Sequence, residues 1–466
     1  MAESISLTSY TAPERRTESR TLSTLPTEIY LLILGHIQYG GQISVVEFKK
    51  TMKALSLVCH LFRALCLRHL FECIWLPSQF PLTREQGRLH WLEEIVASKT
   101  RALLVATCVQ RCVLVGTPDD DESTGSLSPL DVMWTLFRRT ARPQFVTPTN
   151  DDLLVTLGAL LNLAVLHLHR FPMSMALFRA LAAMQNLSVL KITECWEVLE
   201  PPTLDAAVGT ESASIVVLEV TDCGTDGGSD FDAYIPLIVQ LVNQRHLRAL
   251  SSDIIAVLDA LILRETPPIA LEHLAISVAE EAEEYPPLTR YMVRCSNLKS
   301  LSVRTPAETE IPEGACVELE SLACLPSVAS CMLSATRPIS TLKLYSGLEP
   351  DELDIASAVI DRLSVTEQGR PFSLNELALD FWHHGTFPPK STIDVQTFTI
   401  VTCGFDFDEE LMRFLVRRFE LPTLVRGSCF SPNVYRARWR LPRQVSSHGS
   451  YVLRRLLQVL TNTQIA

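Results

Sequence analysis

The chain has 466 residues, with 41 Lys+Arg against 53 Asp+Glu and a formal net charge of −12. That length exceeds one ordinary compact core and calls for several domains or an elongated repeat array. With 47% apolar and 20% charged residues the composition is globular and excludes a mostly disordered chain, and only 18 glycines argue against a fold built on Gly-rich phosphate loops.

Residues 1–20 are Ser/Thr-rich, carry Glu3, Glu14, Arg15, Arg16 and Glu18, and hold no apolar run. They are expected to be a disordered tail rather than a secretion signal. The longest uncharged apolar stretch, Leu153–Leu166, covers 14 residues. It falls short of the ~20 that span a bilayer, so no membrane partner is expected. Thirteen scattered cysteines without a compact spacing framework predict reduced thiols in the cytoplasm or nucleus.

From residue 21 to 77 the pattern is helical. Ile29, Ile33 and Ile37 share one helix face behind Leu25-Pro26. After Gly40-Gly41 a second run carries Leu55, Val58, Leu61, Phe62 and Leu65, then Leu70, Phe71 and Ile74, and closes at Pro77 and Pro81. Residues 78–150 are read as a helical connector. Trp91, Leu92, Ile95 and Val96 mark a helix, a short strand follows near Val113–Val115, and a further helix is expected around Leu130–Arg139. The segment 117–129, with Asp119 to Glu122, is expected to be an exposed acidic loop.

Over residues 151–424 the chain repeats itself. The spacing L-x-x-L-x-L-x-x-N/C is met by Leu187/Leu190/Ile192/Cys195, Ile215/Leu218/Val220/Cys223 and Val395/Phe398/Ile400/Cys403. The apolar triplet alone recurs at Leu163, Leu271, Leu298, Ile339 and Leu374, with weaker copies at Leu247 and Leu319. Such triplets put two side chains of a short parallel strand inward, and one unit buries its apolar face only by stacking on its neighbours. The expected fold class is α/β: a short all-helical module, then an irregular leucine-rich-repeat solenoid with strands on the concave side and helices outside. The ninth-position cysteines, Cys195, Cys223 and Cys403, fit a compact buried turn. Residues 425–466 form a basic cap; from Leu411 to the end there are ten Arg, no Lys and one acid. That end nets +9 against −12 for the whole chain, so the first 410 residues carry −21.

The segment Leu25-Pro26-Thr27-Glu28-Ile29, with Leu57-Val58-Cys59-His60-Leu61-Phe62-Arg63 behind it, resembles an F-box, and an F-box joined to a leucine-rich solenoid is a familiar fungal-type architecture. The resemblance implies a Skp-family adaptor as partner, and through it a cullin-based (SCF-type) ubiquitin ligase, with the solenoid holding a protein substrate. Adaptor-facing or module-core residues carried over are Leu25, Pro26, Ile29, Ile33, Leu57, Val58, Cys59, Phe62 and Arg63.

Reading the third, fifth and seventh repeat positions gives a mixed-charge concave face for that substrate: His167, His169, Lys191, Glu219, Asp253, His273, Arg304, Lys343, Tyr345, Glu376 and Asp380. For any single one of them, a merely solvated strand face reads equally well. His383-His384, His167/His169 and Cys108/Cys112 lack further ligands at metal spacing, and Cys59, Cys66 and Cys73 read as a core helix stripe, so no metal or cofactor is expected. No catalytic motif is present, and chemistry would belong to the recruited ligase. Tyr435-Arg436-Ala437-Arg438-Trp439-Arg440 suits the acidic body of the chain itself, an acidic or phosphorylated partner, or, last in rank, nucleic acid. Two alternatives to ligase recruitment remain: a scaffold with a degenerate F-box, and a nucleic-acid-associated protein using the Arg-rich end.

Overall fold

The structure, a computed structural model, describes residues 28–30, 32–34, 45–77, 80–81, 86–116, 145–146, 150–195, 214–223, 230–242, 246–263, 270–277, 288–304, 311–312, 314–333, 337–345, 355, 358–359, 373–381, 394–403, 424–425 and 434–440. The expected tail 1–20, the acidic loop 117–129, the helix near 130–139 and most of the cap lie outside these residues. Two compact units divide the chain at Asn243/Gln244.

The N-terminal unit opens with helical residues 28–30 and 32–34, then helices Val45–Ser56 and His60–Phe71. Strand β1 (Cys73–Pro77) follows, and β2 (Phe80–Pro81) pairs antiparallel with β4 (Phe145–Val146). Helices Gln86–Val96 and Thr100–Ala106 lead into β3 (Arg111–Val115). The unit continues with helix Asn150–Ala159, β5 (Val165–His169), helix Met175–Ala182, β6 (Val189–Thr193), β7 (Val217–Thr221) and helix Ile235–Leu241. β1, β3, β5, β6 and β7 form a parallel ladder in that order. Its central row is Ile74, Cys112, Leu166, Leu190 and Leu218.

The segment 21–77 is therefore not all-helical: its last five residues are the first strand of the ladder. Helix ends at Phe71 because Cys-Ile-Trp-Leu-Pro joins β-favouring side chains to a proline that holds the preceding residue extended. The Glu72 carbonyl accepts bonds from the Gln110 and Arg111 amides and starts the pairing. The supposed cysteine stripe dissolves with it. Cys66 is buried in a helix, Cys59 is exposed before it, and Cys73 belongs to the strand. Cys108 and Cys112 likewise share no helix, since Cys112 is a strand residue.

The C-terminal unit contains β8 (Ala249–Ser252), β9 (His273–Ile276), β10 (Ser300–Val303), β11 (Ser321–Cys324), β12 (Thr341–Tyr345), β13 (Ser373–Phe381) and β14 (Asp394–Cys403), again parallel and sequential. Helices Ile255–Ile262, Leu288–Arg294 and Pro326–Met332 lie between them in sequence. The central row runs Leu250, Leu274, Leu301, Leu322, Leu342, Leu377, Phe398. Two antiparallel strands close the order, β15 (Leu424–Val425) and β16 (Val434–Arg440), the latter against β14.

All ten triplets read from the sequence are strands. Each triplet's first residue, from Leu163 to Leu374, is also buried in the nine described cases. Burial of such side chains contributes about 1.5–3 kcal/mol each. At the ninth position Cys195 donates to the Leu168 carbonyl (3.5 Å), and Cys223 donates to the Thr221 carbonyl (3.2 Å). Burial pushes the Cys195 thiol up to about 12, so it stays a neutral, compact donor. Among the described residues no helix is long and apolar enough to cross a membrane.

Candidate functional site

Two surfaces hold the residues that the sequence picks out. The first is the pair of helices Val45–Ser56 and His60–Phe71 together with the helical residues 28–30 and 32–34 before it. Tyr30 and Leu34, four apart, are buried; Leu34 packs with Met52 and Cys66, and Phe48, Leu55, Leu65 and Leu70 close around them. Tyr30 meets Phe62 edge-on, ring centroids 5.5 Å apart. This inward face fixes what faces outward. Ile29 is 39% exposed, Ile33 50% and Leu32 68%. Ile29 and Ile33 of the isoleucine stripe thus face outward, Ile37 lies outside the described residues, and Tyr30 and Leu34 make the inner face.

Between the helices the chain turns, with the Leu57 and Val58 amides donating to the Ala54 and Leu55 carbonyls at 3.1 Å. The turn leaves Leu57 at 81% and Val58 at 63% exposure, with Cys59 and Arg63 exposed beside them. Of the nine adaptor-facing candidates, six are open (Ile29, Ile33, Leu57, Val58, Cys59, Arg63) and Phe62 packs partly inside. Leu25 and Pro26 lie outside the described residues. Leu32 was missed, although Ile29, Leu32 and Ile33 have the i, i+3, i+4 spacing of one helix face.

The second surface is the strand face between the buried rows. In the N-terminal unit His167, Lys191 and Glu219 share one register row and are half-buried. Lys191 pairs with Glu219, and His167 Nε2 lies 3.2 Å from Thr193 Oγ1. His169, two residues on and so on the same side of the strand, offers no open ring: it is buried, its ring centroid 5.9 Å from that of His167. Desolvation, His169 and Lys191 together lower the His167 pKa to about 4, against an opposing pull from Glu219. Arg170, Glu194 and Asp222, the residues after β5, β6 and β7, all have positive φ (51°, 54° and 57°), and Arg170 Nε donates to Glu194. Burial, then Glu194, raises the Asp222 carboxyl above its ordinary range, with His169 opposing. These exit residues were not singled out, because a left-handed backbone carries no signal in Arg or Glu.

In the C-terminal unit Tyr345 is the centre of a cationic cluster. Arg304 and Lys343 sit 4.8 and 4.7 Å from its ring centroid, and its hydroxyl is 3.1 Å from Ser302 Oγ. Such cation–π contacts contribute about 0.5–1 kcal/mol each at exposed sites. His273 and Arg304 are exposed, and Glu376 is half-buried. Asp253 follows β8 as a half-buried residue rather than extending the strand. Asp380 is the register partner of Tyr345. The strand-face candidates therefore gather in two sets: His167, Lys191 and Glu219 in one unit, and Arg304, Lys343, Tyr345, Glu376 and Asp380 in the other. His383-His384 lies outside the described residues, and among those described no group of three or more His, Cys, Asp or Glu is placed to hold a metal ion.

No protein-family model matches the chain, and no curated protein matches it.

Proposed function

We propose that the chain is a substrate-recognition subunit of an SCF-type cullin ubiquitin ligase. In this reading the segment 21–77 acts as an F-box that docks a Skp-family adaptor, and a leucine-rich-repeat solenoid holds a protein substrate on its open strand face. The ubiquitin transfer itself belongs to the recruited ligase, and this chain contributes proximity.

The observation that carries the reading is two groups of exposed large apolar side chains in the helical segment, Ile29/Leu32/Ile33 and Leu57/Val58, while Leu34, Met52 and Cys66 form its core and Tyr30 is buried. Isolated exposed leucines are ordinary on protein surfaces, but five large apolar side chains in so short a segment mark an interaction surface. Covering all five recovers up to about 1.5–3 kcal/mol each, less where the side chain is already partly covered, and the total is on the scale of the ~4–15 kcal/mol that association costs. An adaptor with an apolar groove fits this helix-in-groove chemistry.

The test is co-purification of the full chain with a Skp-family adaptor, alone and as the Ile33→Asp/Leu57→Asp variant. Both positions are exposed, so the fold should survive and the thermal midpoint should stay put while adaptor capture drops at least about tenfold. A wild-type chain that captures no adaptor, or a variant that captures as much, overturns the reading.

A further inference from the structure

Three of the arginines near the C-terminus, Arg436, Arg438 and Arg440, belong to the sheet of the second unit. Tyr435-Arg436-Ala437-Arg438-Trp439-Arg440 lies within β16, antiparallel to β14. Its register sets Trp439 opposite Phe398 and Ala437 opposite Ile400. Those rows continue to Leu377 and Leu342, and to Leu379 and Leu344, and both β12 leucines are buried. Arg440, Arg438 and Arg436 fall in the alternate rows, opposite Thr397, Thr399 and Val401. Followed back across the sheet, these rows reach Thr341, Lys343 and Tyr345. The period of two in a strand thus sorts Ala437 and Trp439 into the core rows and collects three arginines in the rows that carry Lys343 and Tyr345. Beyond β12 the same rows hold Ser300, Ser302, Ser321 and Ala323, small residues beside the Arg304–Lys343–Tyr345 cluster.

We infer that this face takes an extended acidic peptide segment with carboxylates at alternate positions. It rests on the receptor reading for the peptide being part of a substrate; the binding chemistry stands without it. Alternate residues of a strand are about 6.6–6.8 Å apart, so Arg436, Arg438 and Arg440 repeat at the spacing of alternate residues in any extended chain. Asp or Glu at every second position of such a peptide then matches one arginine position each. Arg is suited to this because its planar fork pairs a carboxylate through two parallel hydrogen bonds. From Leu411 onward the chain uses ten Arg and no Lys. A nucleic acid fits the face less well. Glu376 and Asp380 occupy the same rows two strands from the arginines, about 9–10 Å away, and a uniform polyanion meets both of them. A peptide can place neutral or basic residues there.

The experiment uses the full chain without adaptor. Fluorescence anisotropy is measured with a labelled peptide alternating Glu and Thr, its Gln-for-Glu counterpart, and a labelled oligothymidylate. The Glu peptide should bind, more weakly as salt rises, and the Gln peptide should not. R436S/R438S/R440S should weaken binding about tenfold, and K343S should weaken it less. If the triple variant does not fold, R438S and K343S decide the matter by the same loss. Equal binding of the Gln peptide, tighter binding of oligothymidylate, or unchanged affinity in these variants overturns the inference. Adaptor capture is read on the wild-type chain: its absence with peptide binding present strikes the receptor reading alone, and its presence with no peptide binding strikes this inference alone.

Discussion

The helical pair and the strand ladder of the N-terminal unit are both rich in Leu, Ile and Val, yet they place them oppositely. Leu166, Leu190 and Leu218 in the ladder are 0% exposed, whereas Leu32 and Leu57 in the helical segment are 68% and 81% exposed. An interior ladder strand finds an apolar neighbour on each side, so every unit completes the core of the next. A few short helices share only a small mutual face, and apolar residues beyond it stay in water until something covers them. The contrast shows why leucine count alone does not separate a core from an exposed apolar face; the number of neighbours an element can reach does.

The largest test of this contrast is a pair of leucine truncations. Leu218→Ala should cost about 2–5 kcal/mol, the range for a buried leucine that leaves a cavity. Leu57→Ala should stay within about 0.5 kcal/mol, as surface changes do. Urea unfolding of the two variants measures both, and similar losses would erase the distinction between the two regions.

A smaller effect separates two glycines. Gly116 follows β3 as Arg170 follows β5, and its amide donates to the His169 carbonyl at 2.8 Å. A Cβ there would lie 1.5 Å from the Arg170 carbonyl oxygen, which is backbone and cannot swing aside. Gly158 lies in helix Asn150–Ala159 with open space around it. Gly116→Ala should therefore destabilise by about 1–3 kcal/mol or more. Gly158→Ala should stabilise by roughly 0.5–1 kcal/mol through helix propensity. Opposite signs in one set of melting curves locate the tight packing at the strand exits; equal signs would remove it.

The strand ladders were legible because their signal is redundant: ten triplets with one internal spacing land in register within each unit, including the weak copies at Leu250 and Leu322. Two further units were not read as such, although Phe71/Ile74/Leu76 and Val109/Cys112/Leu114 have the same spacing. The first was absorbed into a helical pattern that shares its apolar residues, since a triplet at 1, 4 and 6 also fits part of a helix face. The adaptor-facing candidates were legible only as a set. Sequence periodicity shows that Ile29 and Ile33 share a face, but which face turns inward depends on Met52 and Cys66 arriving from elsewhere in the chain. The left-handed backbone of Arg170 and Glu194 belongs to the strand exits, and neither residue type announces it; nor does strand alternation alone distinguish buried His169 from half-buried His167. The arginine row needed the antiparallel register of β16, which a repeat pattern that fades after Phe405 does not supply.

The finest test asks how wet the strand face is compared with the helical pair. Desolvation, reinforced by His169 and Lys191, holds His167 near a pKa of about 4, below its ordinary 6.5. A depressed histidine pKa means that the unfolded chain takes up a proton between these values and the folded chain does not. Stability from this group is therefore complete above about pH 6.5 and declines as the pH falls toward 4. His167→Gln should flatten that part of the stability profile, and the His167 ring resonances should titrate near 4 in an NMR series. A midpoint near 6.5 would mean that water reaches the His167–Lys191–Glu219 row freely. The row would then be a solvated surface like the outer face of the helices, and its ion pair would hold the geometry of the strand face far less firmly.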